Sequence, residues 1–276
     1  MRMCIFCCTF VGKIANHKLL TKTILIMKKI LAVILVLFIT TPIFAVDFQT
    51  TLQAAKEGNA EAQFTLGEMY YAGKGVTQDY TEAYKWYRKA AEQGHKHAQI
   101  SLGVLYYEGE GVTQDYAETV KWLLLAAEQG HAYAQACLAL MYHNGNGVAQ
   151  DHAEAAKWYR QAAEQGNAEA QFNLGYLYYV GKGVTQDYAE AVKWFHKAAE
   201  QDRAYAQDDL GFMYNTNNTF LLVIGKVDVA AQSMLGQMYQ YGEGVTKDLT
   251  QAAHWYRIAA EQGDGFAQEM LKELEY

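Results

Sequence analysis

The side chains of this sequence that could do chemistry are its histidines, cysteines and carboxylates, and their spacing matches no catalytic or metal-binding motif. His95 and His97 are two residues apart, so on a helix they would point away from each other, whereas a helical zinc pair is spaced by about four. Gly73 and Gly75 lack the third glycine and the strand of a phosphate-binding loop. No serine lies in a glycine elbow. The sequence therefore predicts a protein without catalytic residues, cofactor or metal ion.

Cys137 is the one cysteine of the repeated part of the chain, since the other three cysteines lie within residues 1–26. A lone thiol forms no internal disulfide, so an oxidising compartment would add no covalent bridge to the rest of the chain. We expect Cys137 to be a small buried or half-buried residue on a helix. The alternative is a reactive thiol.

The elements that must position these side chains come from a segment of 36 residues that the chain repeats. A period between about 20 and 50 residues is typical of stacked helical units, none of which buries its apolar face alone. Successive copies follow at 36 residues, except for one step of 25 between Leu210 and Leu235. The repeated pair is Leu66-Gly67, Leu102-Gly103, Leu138-Ala139, Leu174-Gly175, Leu210-Gly211 and Leu235-Gly236, with Leu271 alone near the end.

Each copy predicts two amphipathic helices, which we call helix A and helix B. Gly73 ends helix A, and Asp79 is placed to cap helix B, with Glu82 expected to return the bond as in a capping box. Gly94 ends helix B. The predicted buried residues are Ala62, Leu66, Met69 and Tyr70 on helix A, and Ala83, Trp86, Tyr87, Ala90 and Ala91 on helix B.

Two recurring positions within helix A have structural explanations. Gly67 costs about 1 kcal/mol relative to alanine in a helix interior, so we expect a close helix crossing where a Cβ would not fit. Ala139, the next smallest residue, takes this place in the third unit. A glutamine recurs four residues earlier and predicts a hydrogen-bond ladder, with a functional role as the alternative. The ladder residues are Gln63, Gln99, Gln135, Gln171, Gln207, Gln232 and Gln268.

This pattern resembles the Sel1-like repeat family, a relative of the tetratricopeptide repeats. The family pattern A-x-Q-x-x-L-G-x-x-Y-x-x-G-x-G-V, then D, then A-x-x-W-x-x-x-A-A-x-x-G, is present from Ala62 to Gly94, and the resemblance covers nearly all of residues 47–275. It implies an all-α fold, an α-solenoid of helix-turn-helix repeats in a right-handed superhelix. It also implies a non-catalytic scaffold that binds a protein or peptide of unknown identity.

The amino-terminal region predicts export from a bacterial cell. Met27 is followed by Lys28-Lys29, an apolar run at 30–39 and the small residue Ala45, which together describe a signal peptide at 27–45. Residues 1–26 are then expected to be a mis-called upstream extension. We expect cleavage after Ala45 and a periplasmic or secreted protein. The alternative is an uncleaved anchor, although the apolar run is short of the about 20 residues that a span needs.

The charge balance excludes several partner classes. The chain has 23 Lys and Arg against 30 Asp and Glu, a formal net charge of −7. Residues 1–45 hold six of the basic residues and no acidic one, so the remaining chain is more acidic still. Phosphates and anionic membranes repel such a surface. We therefore expect no nucleic-acid partner and no stable membrane insertion after signal cleavage.

The repeats divide the chain into three parts. Residues 46–216 predict an amino-terminal half-repeat, units 1–4 and helix A of unit 5. Residues 217–227 are a degenerate break, where 220–224 would form either a short helix or an irregular apolar plug, with a bend in the superhelix. Residues 228–276 predict the last repeat and a capping helix.

The candidate binding surface is the side of helix A that differs between units, which we call the variable face. In tetratricopeptide-like stacks the A helices line a concave groove, so the resemblance implies a groove for a peptide or helix. The alternative is that these side chains only solvate or pack the inner wall. The predicted partner-binding residues are Glu61, Thr65, Glu68, His97, Ser101, Val104, Tyr133, Cys137, Leu140, Glu169, Asn173, Tyr176, Tyr205, Asp209 and Phe212; Ala72, Glu108, Asn144 and Val180 share the face.

A different function is an envelope hydrolase, by analogy with a cysteine-rich branch of the Sel1-like family whose members have been labelled β-lactamases. Paired cysteines bridge each helix pair in that branch. The repeats of this chain have Cys137 alone, which weakens the analogy.

Overall fold

The computed structural model describes residues 48–201 and 227–274, and within these ranges the chain forms helices and no strands. No helix in the described part is long and apolar enough to span a membrane. The predicted signal peptide at 27–45 and the extension at 1–26 lie outside the described residues. The helices are α1 (48–56), α2 (Ala60–Ala72), α3 (Tyr80–Glu92), α4 (Lys96–Glu108), α5 (Tyr116–Glu128), α6 (Ala132–Asn144), α7 (His152–Glu164), α8 (Ala168–Val180), α9 (Tyr188–Ala199), α10 (Val227–Tyr241), α11 (Leu249–Glu261) and α12 (Gly265–Leu274).

Consecutive helices pack as pairs, and this confirms the predicted all-α solenoid. Helices α2 and α3 form unit 1, α4 and α5 unit 2, α6 and α7 unit 3, α8 and α9 unit 4, and α10 and α11 the last unit. Helix α1 lies where the sequence predicts a half-repeat, and its Ala55 packs in one cluster with Leu66 and Met69 of unit 1. Helix α12 closes the other end, with Ala267 buried against Tyr256.

The helix ends follow the predicted caps with one correction. The Asp79 carboxylate accepts hydrogen bonds from the backbone N–H groups of Thr81 and Glu82 at 2.9 and 3.0 Å, as an N-cap does. The reciprocal bond of a capping box is not formed. Glu82 instead pairs with Lys85 at 2.6 Å, and the Asp79 N–H donates to the carbonyl of Tyr70 at 2.9 Å. Because the loop already satisfies that N–H, Glu82 is free to pair along the exposed helix face.

The close crossing predicted at Gly67 is confirmed. A Cβ at this position would lie 2.5 Å from the ring of Tyr87, which is 1% exposed. The same test at Gly175 gives 3.0 Å to Phe195, and at Gly103 it gives 3.4 Å to Leu123, an ordinary contact. Glycine therefore leaves room for the rings of Tyr87 and Phe195, whereas the contact with Leu123 would be ordinary. Unit 3 accommodates a Cβ here, because Ala139 packs in one buried cluster with Tyr159.

The glutamine ladder is also confirmed, and it has a second half that the sequence analysis missed. Gln99 donates from Nε2 to the carbonyl of Ala91 at 3.2 Å, so it ties helix A to the end of the preceding helix B. Its Oε1 accepts from Gln129 Nε2 at 2.8 Å. The buried ladder amides are thus bonded on both sides, as a buried polar group requires, and they are Gln63, Gln99, Gln135, Gln171 and Gln232. The same second partner recurs as Gln93, Gln165, Gln201 and Gln262. Gln268 donates to Ala260, and Gln207 lies outside the described residues.

The stack continues across the irregular step in the repeat. Gln232 of α10 donates to the carbonyl of Ala199 at 3.3 Å, and this carbonyl is the one that lies eight residues before Gln207 in the repeat. Tyr179 donates to Glu243 of the last unit at 3.0 Å, as Tyr71 donates to Glu110 between units 1 and 2. The last unit therefore packs directly on unit 4. The predicted break at 217–227 and helix A of unit 5 lie outside the described residues, apart from residue 227 at the start of α10.

Candidate functional site

The variable face, which we treat as a candidate binding face, has exposed, half-buried and buried members. Thr65 and Tyr176 are exposed, and the Tyr176 side chain is 40% accessible. Glu61 and His97 are also exposed. Tyr205, Asp209 and Phe212 lie outside the described residues. The half-buried members are Glu68, Val104, Tyr133, Leu140, Glu169 and Asn173.

Two predicted contact residues are buried, so they offer no surface to a partner. Ser101 is 4% exposed and its hydroxyl donates to the carbonyl of His97 at 3.0 Å. Cys137 is 5% exposed and packs among Leu138 and Met141. Burial, with the nearby charge of Glu169, raises the pKa of the Cys137 thiol well above its ordinary value. The side chain is therefore the buried residue that the sequence predicts, and a neutral thiol at neutral pH is a poor nucleophile.

Unit 1 places a carboxylate, a histidine and a phenylalanine together at the start of the variable face. His95 Nε2 lies 2.9 Å from Glu61 Oε2, and the His95 ring stacks on Phe64 with centroids 4.7 Å apart. His95 also caps α4, because its Nδ1 accepts from the Ala98 N–H at 3.2 Å. The sequence analysis missed Phe64 and His95. Their proximity depends on the packing of two units, which the spacing within one unit does not reveal.

Glu68 is held by the tyrosine that fills the helix crossing. The Tyr87 hydroxyl donates to Glu68 Oε1. Burial raises the pKa of the Glu68 carboxyl to about 8, and the Tyr87 hydrogen bond and the charge of Lys74 offset only part of that rise. At neutral pH this carboxyl is therefore largely protonated.

At the junction of units 3 and 4, polar side chains from three helices lie near one another. Tyr133 and Cys137 come from α6, Tyr159 from α7 and Glu169 from α8. The Tyr133 hydroxyl oxygen is buried and makes no hydrogen bond of ordinary geometry in the described part, with the Cys137 thiol as a polar neighbour. Burial raises the pKa of the Glu169 carboxyl to about 7. Glu169 is thus a titratable group in the physiological range.

The outer edge of unit 3 differs from that of its neighbours. Units 1, 2 and 4 each place two tyrosine rings together at the turn between helices, for example Tyr107 and Tyr116 with centroids 5.2 Å apart. Unit 3 places His143 against His152 at 4.9 Å, and the Nδ1 atoms of both rings are buried without a hydrogen-bond partner in the described part. Burial, then the charges of His152 and Lys182, lowers the pKa of His143.

Across residues 48–201 and 227–274, no group of three or more histidine, cysteine or carboxylate side chains could hold a metal ion. The variable face offers carboxylates, hydroxyls and an exposed aromatic ring, groups that can form charge contacts, hydrogen bonds and aromatic contacts.

The repeat and its helix pairs match known proteins. A family model described as Sel1 repeat matches residues 60–95, 96–131, 132–167, 168–202 and 229–264. A crystal structure of a Sel1 repeat protein from Oxalobacter formigenes is 34% identical and covers 79% of this chain and 78% of that chain, with a TM-score of 0.61. A protective antigen present in uropathogenic Escherichia coli strains and displaying an SLR fold is 42% identical over 81% of this chain, with a TM-score of 0.58. This chain spans 50% of the length of that antigen.

Proposed function

Because this chain belongs to the Sel1 repeat family, whose members are generally protein-interaction scaffolds, we propose that it is an exported, non-catalytic adaptor. It binds a protein or peptide along the variable face of its A helices, in cell-envelope or host-interaction processes. The partner is a polypeptide and not a nucleic acid, in line with the acidic composition.

The observation that supports this proposal best is the contrast between the repeated and the varied residues of helix A. The side that packs in every unit repeats Leu66 and its equivalents, which are buried. The variable face places exposed Thr65 and Tyr176 beside the half-buried carboxylates of Glu68 and Glu169. An exposed tyrosine combines apolar area with a hydrogen-bonding hydroxyl, and such residues are common binding anchors.

Two observations support export. The segment at 27–45 has the basic start, apolar run and small final residue of a signal peptide. The E. coli relative is a protective antigen. Mass spectrometry of the protein recovered from cell fractions tests this step. We expect a mature chain that begins at Val46 in the periplasmic or secreted fraction, and an intact chain in the cytosol would contradict export.

Binding along the variable face is tested by capture from an envelope extract with the tagged full chain as bait. Replacing Tyr176 by arginine should abolish capture of the partner, because the guanidinium removes an aromatic contact and adds bulk and charge. Leu125→Arg is the matched control, since Leu125 is 39% exposed but lies on helix B. Both substitutions are at exposed positions and should leave the fold intact.

A partner that is captured equally by the wild type and the Tyr176→Arg variant, but lost with Leu125→Arg, would place binding on helix B and contradict the proposal. Capture that survives in both variants would contradict it as well, because the variable face would then contribute nothing that either substitution disturbs.

A further inference from the structure

Helices α2, α4 and α8 begin with the same kind of hydrogen bond, but one of the three uses a side chain that titrates. Asn59 and Asn167 each accept from the backbone N–H group three residues later, at 2.9 and 2.8 Å. Before α4 the acceptor is His95 Nδ1, which lies 3.2 Å from the Ala98 nitrogen. Each bond satisfies an N–H group that has no acceptor within its own helix. Helix α4 therefore depends on an acceptor atom that can itself bind a proton.

The two contacts of the His95 ring assign its tautomer. Nε2 lies 2.9 Å from Glu61 Oε2, and a carboxylate accepts hydrogen bonds, so Nε2 carries the proton. The Ala98 N–H group only donates, so Nδ1 carries none. The His95 side chain is 14% exposed and stacks on Phe64 with ring centroids 4.7 Å apart. Both bonds thus belong to one packed orientation of a neutral ring.

We propose that His95 is a pH-responsive cap, which holds the start of α4 while its ring is neutral and releases it when the ring binds a second proton. Histidine is the side chain that commonly titrates between pH 5 and 8. Protonation places a hydrogen on Nδ1, so the Ala98 N–H group loses its acceptor. The positive ring then lies at the positive end of the helix dipole, while its contact with Glu61 becomes an ion pair. Acidification therefore exchanges a bond within α4 for a charged contact between α2 and α4.

The groups around His95 contribute to this response. Glu61 contacts the ring, but its side chain is 76% exposed, so water screens the pair. The His97 ring lies 5.8 Å from that of His95, and the His131 ring lies 5.3 Å from that of His97, between centroids. Positive charge therefore accumulates at the starts of α4 and α6 as the pH falls. The charged or titratable residues on the adjoining elements are Glu61 of α2, Glu92 of α3, which pairs with Arg88, Lys96 and His97 of α4, and His131 before α6.

The response is confined to one repeat and reaches the variable face. Asparagine does not titrate, so the caps that Asn59 and Asn167 provide should be independent of pH. The first turn of α4 contributes exposed His97 to the variable face, so release of the cap alters this face where units 1 and 2 meet. This device goes beyond the proposed function and holds whether or not the face binds a polypeptide.

NMR of the isotopically labelled protein tests the device within one molecule. Nitrogen-15 shifts of the histidine rings report the tautomer of His95 and its protonation between pH 8 and pH 5. Amide exchange, divided by the rate of an unstructured peptide at the same pH, reports each cap bond. We expect a proton on Nε2 at pH 8, and an about fivefold loss of protection at Ala98 as the ring is protonated. Protection at Ala62 and Ala170 should not change.

Two variants separate the cap from the surrounding charge. His95→Asn gives α4 the cap that α2 and α8 have, and protection at Ala98 should then be independent of pH. His97→Gln removes a neighbouring titratable ring and should retain the pH response. A His95 ring that stays neutral at pH 5, or carries its proton on Nδ1 at pH 8, would overturn the inference. So would constant protection at Ala98 in the wild type, or an equal loss at Ala98 in His95→Asn.

Discussion

The first and third units are two copies of one helix pair, and three of the differences between them bear on stability and titration. At the helix crossing, unit 1 has Gly67 and unit 3 has Ala139. On the variable face, Glu68 is replaced by Leu140. At the outer edge, a tyrosine pair is replaced by His143 and His152. The two units share the buried leucine, alanine and glutamine positions that form the core. They differ at the helix crossing, on the variable face and at the outer edge, and we expect these residues to determine how the stability of each unit responds to substitution and pH.

The largest expected effect is at the crossing of unit 1. Gly67→Ala places a Cβ 2.5 Å from the Tyr87 ring, and the Tyr87 hydroxyl is tethered to Glu68, so the ring cannot move away freely. We expect a loss of about 2 kcal/mol in the free energy of unfolding, as is common for overpacked cores. Urea unfolding at pH 7, followed by circular dichroism, measures this loss. Unit 3 tolerates Ala139, and there Leu140 stands in the place of the carboxylate that holds Tyr87 in unit 1.

Gly103→Ala is the matched control for that substitution. Its Cβ would lie 3.4 Å from Leu123, an ordinary contact, and alanine favours helix by about 1 kcal/mol over glycine. This variant should be as stable as the wild type or slightly more so. Equal losses in both variants would show that the glycine position responds to backbone effects and not to the ring of helix B.

The second prediction concerns the variable face of unit 1. The pKa of Glu68 is about 8 in the folded protein and near 4.5 in an unfolded chain, so the folded state holds the proton more tightly. The stabilising contribution of the protonated carboxyl is therefore lost as the pH rises from about 5 to about 8. Glu68→Gln does not titrate and keeps an acceptor for Tyr87. At pH 9 we expect the variant to be more stable than the wild type by on the order of 2 kcal/mol.

The pH dependence of unfolding in the two proteins checks this expectation. At pH 5, where Glu68 is protonated in the folded state, the wild type and Glu68→Gln should have nearly equal stability. A difference that is constant from pH 5 to pH 9 would mean that the substitution changes packing and not titration. Glu169, whose carboxyl titrates in both proteins, cancels from the comparison.

The edge of unit 3 should respond to pH in the opposite direction. Burial and the neighbouring charges lower the pKa of His143 below its ordinary value, so an unfolded chain binds the proton more tightly than the folded one. The stability contributed by the neutral ring is present above the ordinary pKa and is lost as the pH falls below it. Replacing His143 and His152 by tyrosine, the pair that unit 2 has at this edge, should remove that loss.

Thermal melts at pH 7 and pH 5 measure this effect, which we expect to be smaller than those at Gly67 and Glu68. The double variant should gain stability relative to the wild type on going from pH 7 to pH 5. A wild type and a variant that respond identically to pH would show that the histidine pair does not contribute to acid sensitivity.

These contrasts also show how far the sequence predicts the molecule. The helix pairs, the Asp79 cap, the Gly67 crossing and the existence of a glutamine ladder are local to one or two copies, and their spacing predicts them correctly. The spacing does not predict which carbonyl each glutamine contacts. The burial of Ser101 and Cys137 is different, because the period does not report how deeply a varied side chain is buried. Cys137, for example, packs in one cluster with Ile100 and Leu123 of the preceding unit. The sequence therefore assigns the variable face to helix A, but it does not predict which residues of that face are accessible to solvent.

The pairing of Phe64 with His95, and the convergence of Tyr133 and Glu169, escape the sequence for a related reason. Each joins side chains of adjacent units across the stack. The repeat fixes which residues belong to the shared core, but residues that vary between units have no periodic signal. Their contacts depend on side-chain size and direction in two particular copies.

The smallest expected effect comes from the junction where the repeat spacing changes. The packing of α9 on α10 should be as stable as that of α7 on α8 if the contacts between helices, and not the length of the connecting chain, determine the stability of the stack. Its ladder bond from Gln232 to Ala199 and its edge bond from Tyr179 to Glu243 both lie within the described residues. Deleting residues 202–226 joins Gln201 to Val227 and keeps both bonds. Shortening a connection lowers its closure entropy by only about 0.6 kcal/mol for each halving of length. We therefore expect the deletion to change the free energy of unfolding by no more than about 1 kcal/mol, whereas an insoluble or strongly destabilised product would show that this segment contributes packing that the regular junctions do not need.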